Sequence, residues 1–225
     1  LSTLGGGIGI SVMVVLLVSL PVLAGYLAVT RPGSHVHWAV RRWCRFALAA
    51  CGVRPDVDGL DAAAALDSGI FVANHASYLD VVVLMAVVPV AFRFVAKRAL
   101  TGYPLIGTVI RKAGYLTLEK AGLSDRLAGA EAVGRRLREG ERLLIFPEGT
   151  FVRAPGLLPF RLGAFRAAVD ADRPIVPIAI AGTRLVWPDG RWLFRRGPIT
   201  VTIASPLIPQ GAGWPEMVRL RDSAV

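Results

Sequence analysis

Asn74-His75-Ala76-Ser77-Tyr78-Leu79-Asp80 sets an imidazole and a carboxylate five residues apart, directly after the apolar run Ile70 to Ala73. A neutral imidazole can take a proton, and a carboxylate can fix which ring nitrogen carries the hydrogen. Five residues along an ideal helix is a net rotation of about 140°, so the two side chains cannot meet within one helix. They can meet if His75 lies in the turn before a helix and points back over its start. The alternative is purely architectural: Asn74 and His75 end a strand, and Asp80 caps the following helix. Leu143-Leu144-Ile145-Phe146 is a second short apolar run, and Pro147-Glu148-Gly149-Thr150 follows it. A tight Pro/Gly turn there delivers another carboxylate and a hydroxyl to a strand end.

These residues need strands to carry them and helices to cover the strands. From Val53 onward short apolar runs alternate with helical patterns. The pattern predicts strands near 54–58, 70–73, 91–95, 115–118, 142–146, 175–180 and 199–204. It predicts helices near 61–66, 77–88, 104–112, 123–139 and 160–171. Such alternation implies an α/β fold, one domain with a mixed, largely parallel sheet flanked by helices. In open α/β sheets ligands collect where strands end and helices begin, which is where His75 and Glu148 fall. Arg184 to Arg196 contains Trp187, Pro188, Asp189-Gly190 and Trp192 and reads as a hairpin or loop on the rim.

The chain has 225 residues, is 54% hydrophobic and carries a formal charge of +10, from 26 Lys and Arg against 16 Asp and Glu. The excess suits a polyanionic partner: nucleic acid, an anionic bilayer or a phosphorylated substrate. Few aromatics lie among the arginines and no nucleic-acid module is present, so anionic membrane lipids and phosphate are expected, and nucleic acid is not. Cys44 and Cys51 have no second pair and no histidines at metal spacing, which argues against a disulfide framework or a zinc site. Residues 1–30 hold no side chain that is charged at neutral pH. As a helix, Ile8 to Val29 would span about 33 Å, and the expectation is a membrane helix. Arg31, Arg41, Arg42, Arg45 and Arg54 follow, placing the next domain on the cytoplasmic face. His37 to Val53 mixes Trp38, Trp43 and Phe46 with arginines and reads as an interfacial helix, or else an amphipathic helix packed on the domain. His35 and His37 read as surface or interface residues. The chain thus divides into residues 1–52, a membrane-spanning and interfacial helical segment, and residues 53–225, the chemical domain. It opens on Leu1 without an initiator Met, and reads as a segment of a longer protein.

Together, Asn74-His75 with Asp80 after four intervening residues, Phe146-Pro147-Glu148-Gly149-Thr150 and Ile175-Val176-Pro177-Ile178-Ala179-Ile180 resemble the glycerolipid acyltransferases, 1-acylglycerol-3-phosphate acyltransferases in particular. The likeness covers roughly residues 55 to 210. It implies a membrane enzyme moving an acyl chain from acyl-coenzyme A or acyl carrier protein to the free hydroxyl of 1-acylglycerol-3-phosphate, giving phosphatidic acid, without cofactor or metal. His75 would be the general base and Asp80 its orienting partner. Glu148, Gly149 and Thr150 would align the acceptor, with backbone N–H groups near Gly149-Thr150 able to stabilise an oxyanion. Lys120 stands where the family has an arginine associated with the acceptor phosphate, and Arg161 where it usually has a lysine. The family often has arginine directly after its Phe-Pro-Glu-Gly-Thr; here Phe151 and Val152 intervene before Arg153. These exchanges keep other lysolipid acceptors open, a headgroup lysophospholipid or an amino-acid lipid. Two further readings use other chemistry: a metal-dependent phosphoesterase built on His75, Asp80 and Glu148, which the three histidines of the chain disfavour, and a non-enzymatic basic lipid-binding module. No Gly-x-Ser-x-Gly turn is present, so no acyl-enzyme is required.

Overall fold

A computed structural model describes residues 18–119, 122–152, 156–188 and 195–225. Helix α1 covers residues 18–29, α2 Ser34–Ala50, α3 Leu60–Ala64, α4 Leu79–Val87, α5 Pro104–Lys112, α6 Leu123–Arg138, α7 Gly163–Ala171, α8 Thr183–Val186 and α9 Gly213–Ser223. Strands are β1 Asp56–Asp58, β2 Gly69–Ala73, β3 Arg93–Lys97, β4 Leu116–Leu118, β5 Arg142–Ile145, β6 Ile175–Ala181 and β7 Thr200–Ile203. Each predicted strand is present, with its ends moved by at most a few residues. They form one sheet in the order β1-β7-β6-β2-β5-β3-β4. All neighbours are parallel except β6 and β7.

β2 sits at the middle of this sheet and is buried along its whole length. Strand side chains alternate between faces. Phe71 and Ala73 accordingly join one core with α1, α2 and α4, while Ile70 and Val72 join another with α6, α7 and α9. Leu23 and Leu27 of α1 and Val36, Val40, Cys44 and Leu48 of α2 belong to the first core, beside Leu84 and Met85 of α4. Trp43 of α2 donates from Nε1 to Ser19 Oγ at 3.1 Å, tying the two N-terminal helices together. Lys112, at the end of α5, donates from Nζ to the carbonyls of Ala28 and Thr30 and so fixes the end of α1.

The expected membrane span is not supported among the described residues. No helix of the described residues is long and apolar enough to cross a membrane. Residues 1–17 of the expected stretch lie outside the described residues. The twelve residues of α1 extend only about 18 Å, and one face of them packs into the domain core rather than facing lipid. α2 forms where the interfacial helix is expected, but His37 is buried, not superficial; it packs edge-on against Phe92 and Trp38. The expected rim loop from Arg184 begins inside helix α8, and its residues 189–194 lie outside the described residues.

Candidate functional site

Parallel pairing places the site by counting. Val72 of β2 stands opposite Ile145 of β5. Three residues further along each strand come His75 and Glu148, so strands that stay in register bring them side by side. The His75 backbone N–H donates to Glu148 Oε1 at 2.6 Å. Glu148 Oε2 accepts from the Leu158 N–H at 2.7 Å. Both carboxylate oxygens of this buried residue are thus taken by backbone donors. Glu148 clamps the end of β2 to the segment after β5, a task that its residue type alone does not announce. On the other side, Ala73 stands opposite Ile178 of β6. Asn74 closes that gap, its amide donating to the Ile180 carbonyl at 2.9 Å and accepting from the Ile180 N–H at 2.7 Å.

Held on both sides, His75 lies in the turn before α4. Its Nδ1 is 2.9 Å from Asp80 Oδ2. The same oxygen accepts from the N–H groups of Ala76 at 2.6 Å and Ser77 at 2.8 Å. One carboxylate oxygen therefore both shapes the turn and receives the imidazole. Against that acceptor Nδ1 carries the hydrogen, which leaves the lone pair on Nε2. Asp80 is fully buried, and its Oδ1 has no hydrogen-bond partner among the described residues. The His75 ring stacks on Phe146 at 4.1 Å and 15° between planes, and meets Phe151 edge-on at 4.7 Å. Its side chain is 14% exposed. The two rings and the carboxylate leave the imidazole little freedom to rotate.

Gly149 has φ +70, a left-handed conformation that suits glycine, and its N–H donates to the Phe146 carbonyl at 2.9 Å. It is thereby occupied by the turn. The Thr150 N–H has no hydrogen-bond partner among the described residues. Arg161 is exposed at the approach to α7, and its backbone N–H donates to the Pro147 carbonyl at 3.1 Å, so it stands next to the Glu148 turn. Lys120 and Arg153 lie outside the described residues. Helix α8 is a contributor that the sequence does not reveal. Ser77 Oγ donates to the Trp187 carbonyl at 2.9 Å, and Arg184 Nε to the Ala76 carbonyl at 3.5 Å. Phe146 and Phe151 were also not singled out from sequence as neighbours of the imidazole; the pairing of β2 with β5 is the signal that would have found Phe146. Among the described residues no group of three or more His, Cys, Asp or Glu could hold a metal ion.

Comparison with known proteins bears on this arrangement. The family model described as Acyltransferase matches residues 54–181. A 1-acyl-sn-glycerol-3-phosphate acyltransferase of Cocos nucifera is 33% identical over 139 residues, 61% of this chain and 45% of that protein. The human 1-acyl-sn-glycerol-3-phosphate acyltransferase beta is 32% identical over 143 residues, 63% of this chain and 51% of that protein. A lyso-ornithine lipid O-acyltransferase of Pseudomonas aeruginosa is 28% identical over 211 residues, 86% of this chain and 81% of that protein. The chain spans about half the length of the first three relatives it matches. Among solved structures, the 1-acyl-sn-glycerophosphate acyltransferase PlsC of Thermotoga maritima superposes with a TM-score of 0.76 over 98% of this chain and 94% of that one, at 20% identity. At that identity the likeness shows the fold.

Proposed function

The chain belongs to the acyltransferase family, and on that premise we propose that it is an O-acyltransferase moving an acyl group from a thioester to the free hydroxyl of a lysolipid. The observation that carries the reading is the contact of His75 Nδ1 with Asp80 Oδ2 at the end of the central strand. Nε2 of His75 takes the proton of the acceptor hydroxyl as its oxygen attacks the thioester carbonyl carbon. The new ester C–O bond forms and the C–S bond breaks. The sulfur leaves as thiolate and takes the proton back from the imidazolium, which Asp80 stabilises meanwhile. The Thr150 N–H is the donor we assign to the developing oxyanion. Glu148 keeps this machinery aligned from beneath instead of touching the acceptor. Acyl-coenzyme A or acyl carrier protein supplies the acyl group.

For the acceptor, the relatives named for 1-acylglycerol-3-phosphate favour that lysolipid, with phosphatidic acid as product. A second reading, an amino-acid lysolipid, is favoured by the lyso-ornithine lipid relative, since that match runs through most of both chains. In either case Arg161, with Lys120 and Arg153, is assigned to the anionic part of the headgroup. The protein works at a membrane surface. Val18, Val22, Tyr26 and Val29 form an exposed apolar stripe on α1, and Trp38, Arg42, Arg45 and Phe46 an exposed face of α2. Rings at headgroup depth and guanidiniums on phosphates suit an anionic leaflet, which we take to be the cytoplasmic one. The test is turnover: purified protein, acyl-coenzyme A and a panel of lysolipids, read by thiol release and product mass. Acyl transfer to at least one lysolipid is expected, and hydrolysis without transfer would contradict the reading.

A further inference from the structure

The end of the sheet that carries His75 has cations on two sides. On the β5 side is Arg161, beside the Glu148 turn. The other side is built from β6, β7 and β1. β7 runs antiparallel to β6, so its start, Thr200, stands beside Ala181, next to the residue that holds Asn74. The Arg195 N–H donates to the Val186 carbonyl at 2.8 Å, which puts Arg195 at the end of α8. Arg196 lies against Gly52, where an added Cβ would be 3.8 Å from the arginine Nε. Arg54 follows two residues after Gly52. Asp56 of β1 pairs with Thr200, and the same register carried back two residues sets Arg54 alongside Pro198. All three arginines are exposed, and among the described residues none of their side chains has an ion pair or hydrogen bond. Asp56, the acid closest to them in sequence, is paired with none of them. Arg184 of α8, held by the Ala76 carbonyl, adds charge of the same sign. Guanidiniums match phosphate oxygens in pairs, and a group of them without acids makes a local positive potential that a polyanion relieves.

Resting on the reading of the site as a lysolipid acyltransferase, we infer that Arg54, Arg195 and Arg196 hold the phosphates of a coenzyme A thioester, which makes that thioester the acyl donor. Two anionic substrates meet at His75, and like charges repel. Arg161 on the β5 side takes the acceptor headgroup, and the donor phosphates lie across β2 and β6 from it. The test uses the full chain in neutral detergent micelles, so that no anionic bilayer contributes. The donors are acyl-coenzyme A, acyl-pantetheine and acyl carrier protein with one acyl chain, and the acceptor is one lysolipid. Arg54→Gln, Arg195→Gln and Arg196→Gln combined should raise KM for acyl-coenzyme A about ten- to thirtyfold, a modest figure for three contacts in solvent. KM for acyl-pantetheine and for the acceptor should stay as they are. Free coenzyme A should compete with the donor in the wild-type protein and far less in the variant, while added salt should weaken that competition. An unchanged KM for acyl-coenzyme A, or an equal rise for acyl-pantetheine, would overturn the inference and leave acyl transfer standing. A loss confined to acyl carrier protein would give the arginines to that protein instead. A loss confined to binding of anionic vesicles would give them to the bilayer. Either result overturns the inference. No transfer from any of the three donors would overturn the underlying reading and the inference with it.

Discussion

At the scale of single residues, Glu148 carries the most structure for its size. Glu148→Gln replaces one accepting oxygen with an amide that faces a backbone N–H, so either the His75 or the Leu158 donor is left unpaired. An unsatisfied buried donor costs about 1–3 kcal/mol. The variant should melt several degrees lower and lose acyl-transfer rate with little change in acceptor KM. A variant with normal melting and a raised KM alone would show that Glu148 touches the acceptor after all. The sequence suggested the second role because a carboxylate at a strand end reads as functional; only the β2–β5 register reveals the clamp. His37 is a similar case. An imidazole among arginines and tryptophans reads as superficial, yet it is buried, and burial, then the nearby Arg41, lowers its pKa from 6.5 to about 4. The unfolded chain protonates this side chain near pH 6.5 and the folded one only near pH 4. Its contribution is therefore fully present above 6.5 and is lost as pH falls through that window, by on the order of 3 kcal/mol. Urea midpoints of the wild-type protein and His37→Leu, compared at pH 7.5 and 4.5, should show a smaller drop in the variant. An equal drop would assign the acid sensitivity elsewhere.

At the scale of elements, the seven strands and the long helices were legible because short apolar runs and helical faces are strong signals. His75 and Asp80 were legible because the strand had to end before them. Helix α8 was not, since four residues give no periodic signal and its neighbours Trp187 and Pro188 read as loop. Its placement depends on Gly182, whose φ is +88 and whose added Cβ would lie 2.0 Å from the Pro198 carbonyl oxygen. Gly182→Ala should cost about 1–3 kcal/mol in backbone strain. For a chain of this size each kcal/mol lowers Tm by roughly 2–4 °C. Because α8 holds the Ser77 hydroxyl and the Ala76 carbonyl, activity should fall more steeply than stability. Unchanged Tm and rate would remove α8 from the account. The N-terminal segment is a different case. An uncharged stretch long enough to span a bilayer reads as a span, but composition cannot tell a lipid-facing surface from one packed on a domain. Leu23 and Leu27 face the core while Val18, Val22, Tyr26 and Val29 face outward.

At the scale of the molecule, an exposed apolar and arginine-bearing face on a chain of charge +10 would give the proposed membrane binding two components. Raising salt screens the electrostatic one and leaves the apolar one. Trp38→Ala with Phe46→Ala should weaken partition onto vesicles of phosphatidylglycerol and phosphatidylcholine, and the remaining binding should be lost more readily in salt. Partition unaffected by the double substitution would mean that α2 does not face the bilayer. The proposed chemistry rests on one nitrogen, Nε2 of His75, held by Asp80 and bracketed by Phe146 and Phe151. The most direct measurement is the single-turnover rate of acyl transfer by His75→Ala beside the wild-type protein, with circular dichroism and vesicle binding recorded on the same samples. A loss of about 10²–10⁴-fold with fold and binding intact is the expected result, with Asp80→Asn showing a smaller loss. A folded His75→Ala protein that transfers the acyl group at a near-normal rate would contradict the mechanism.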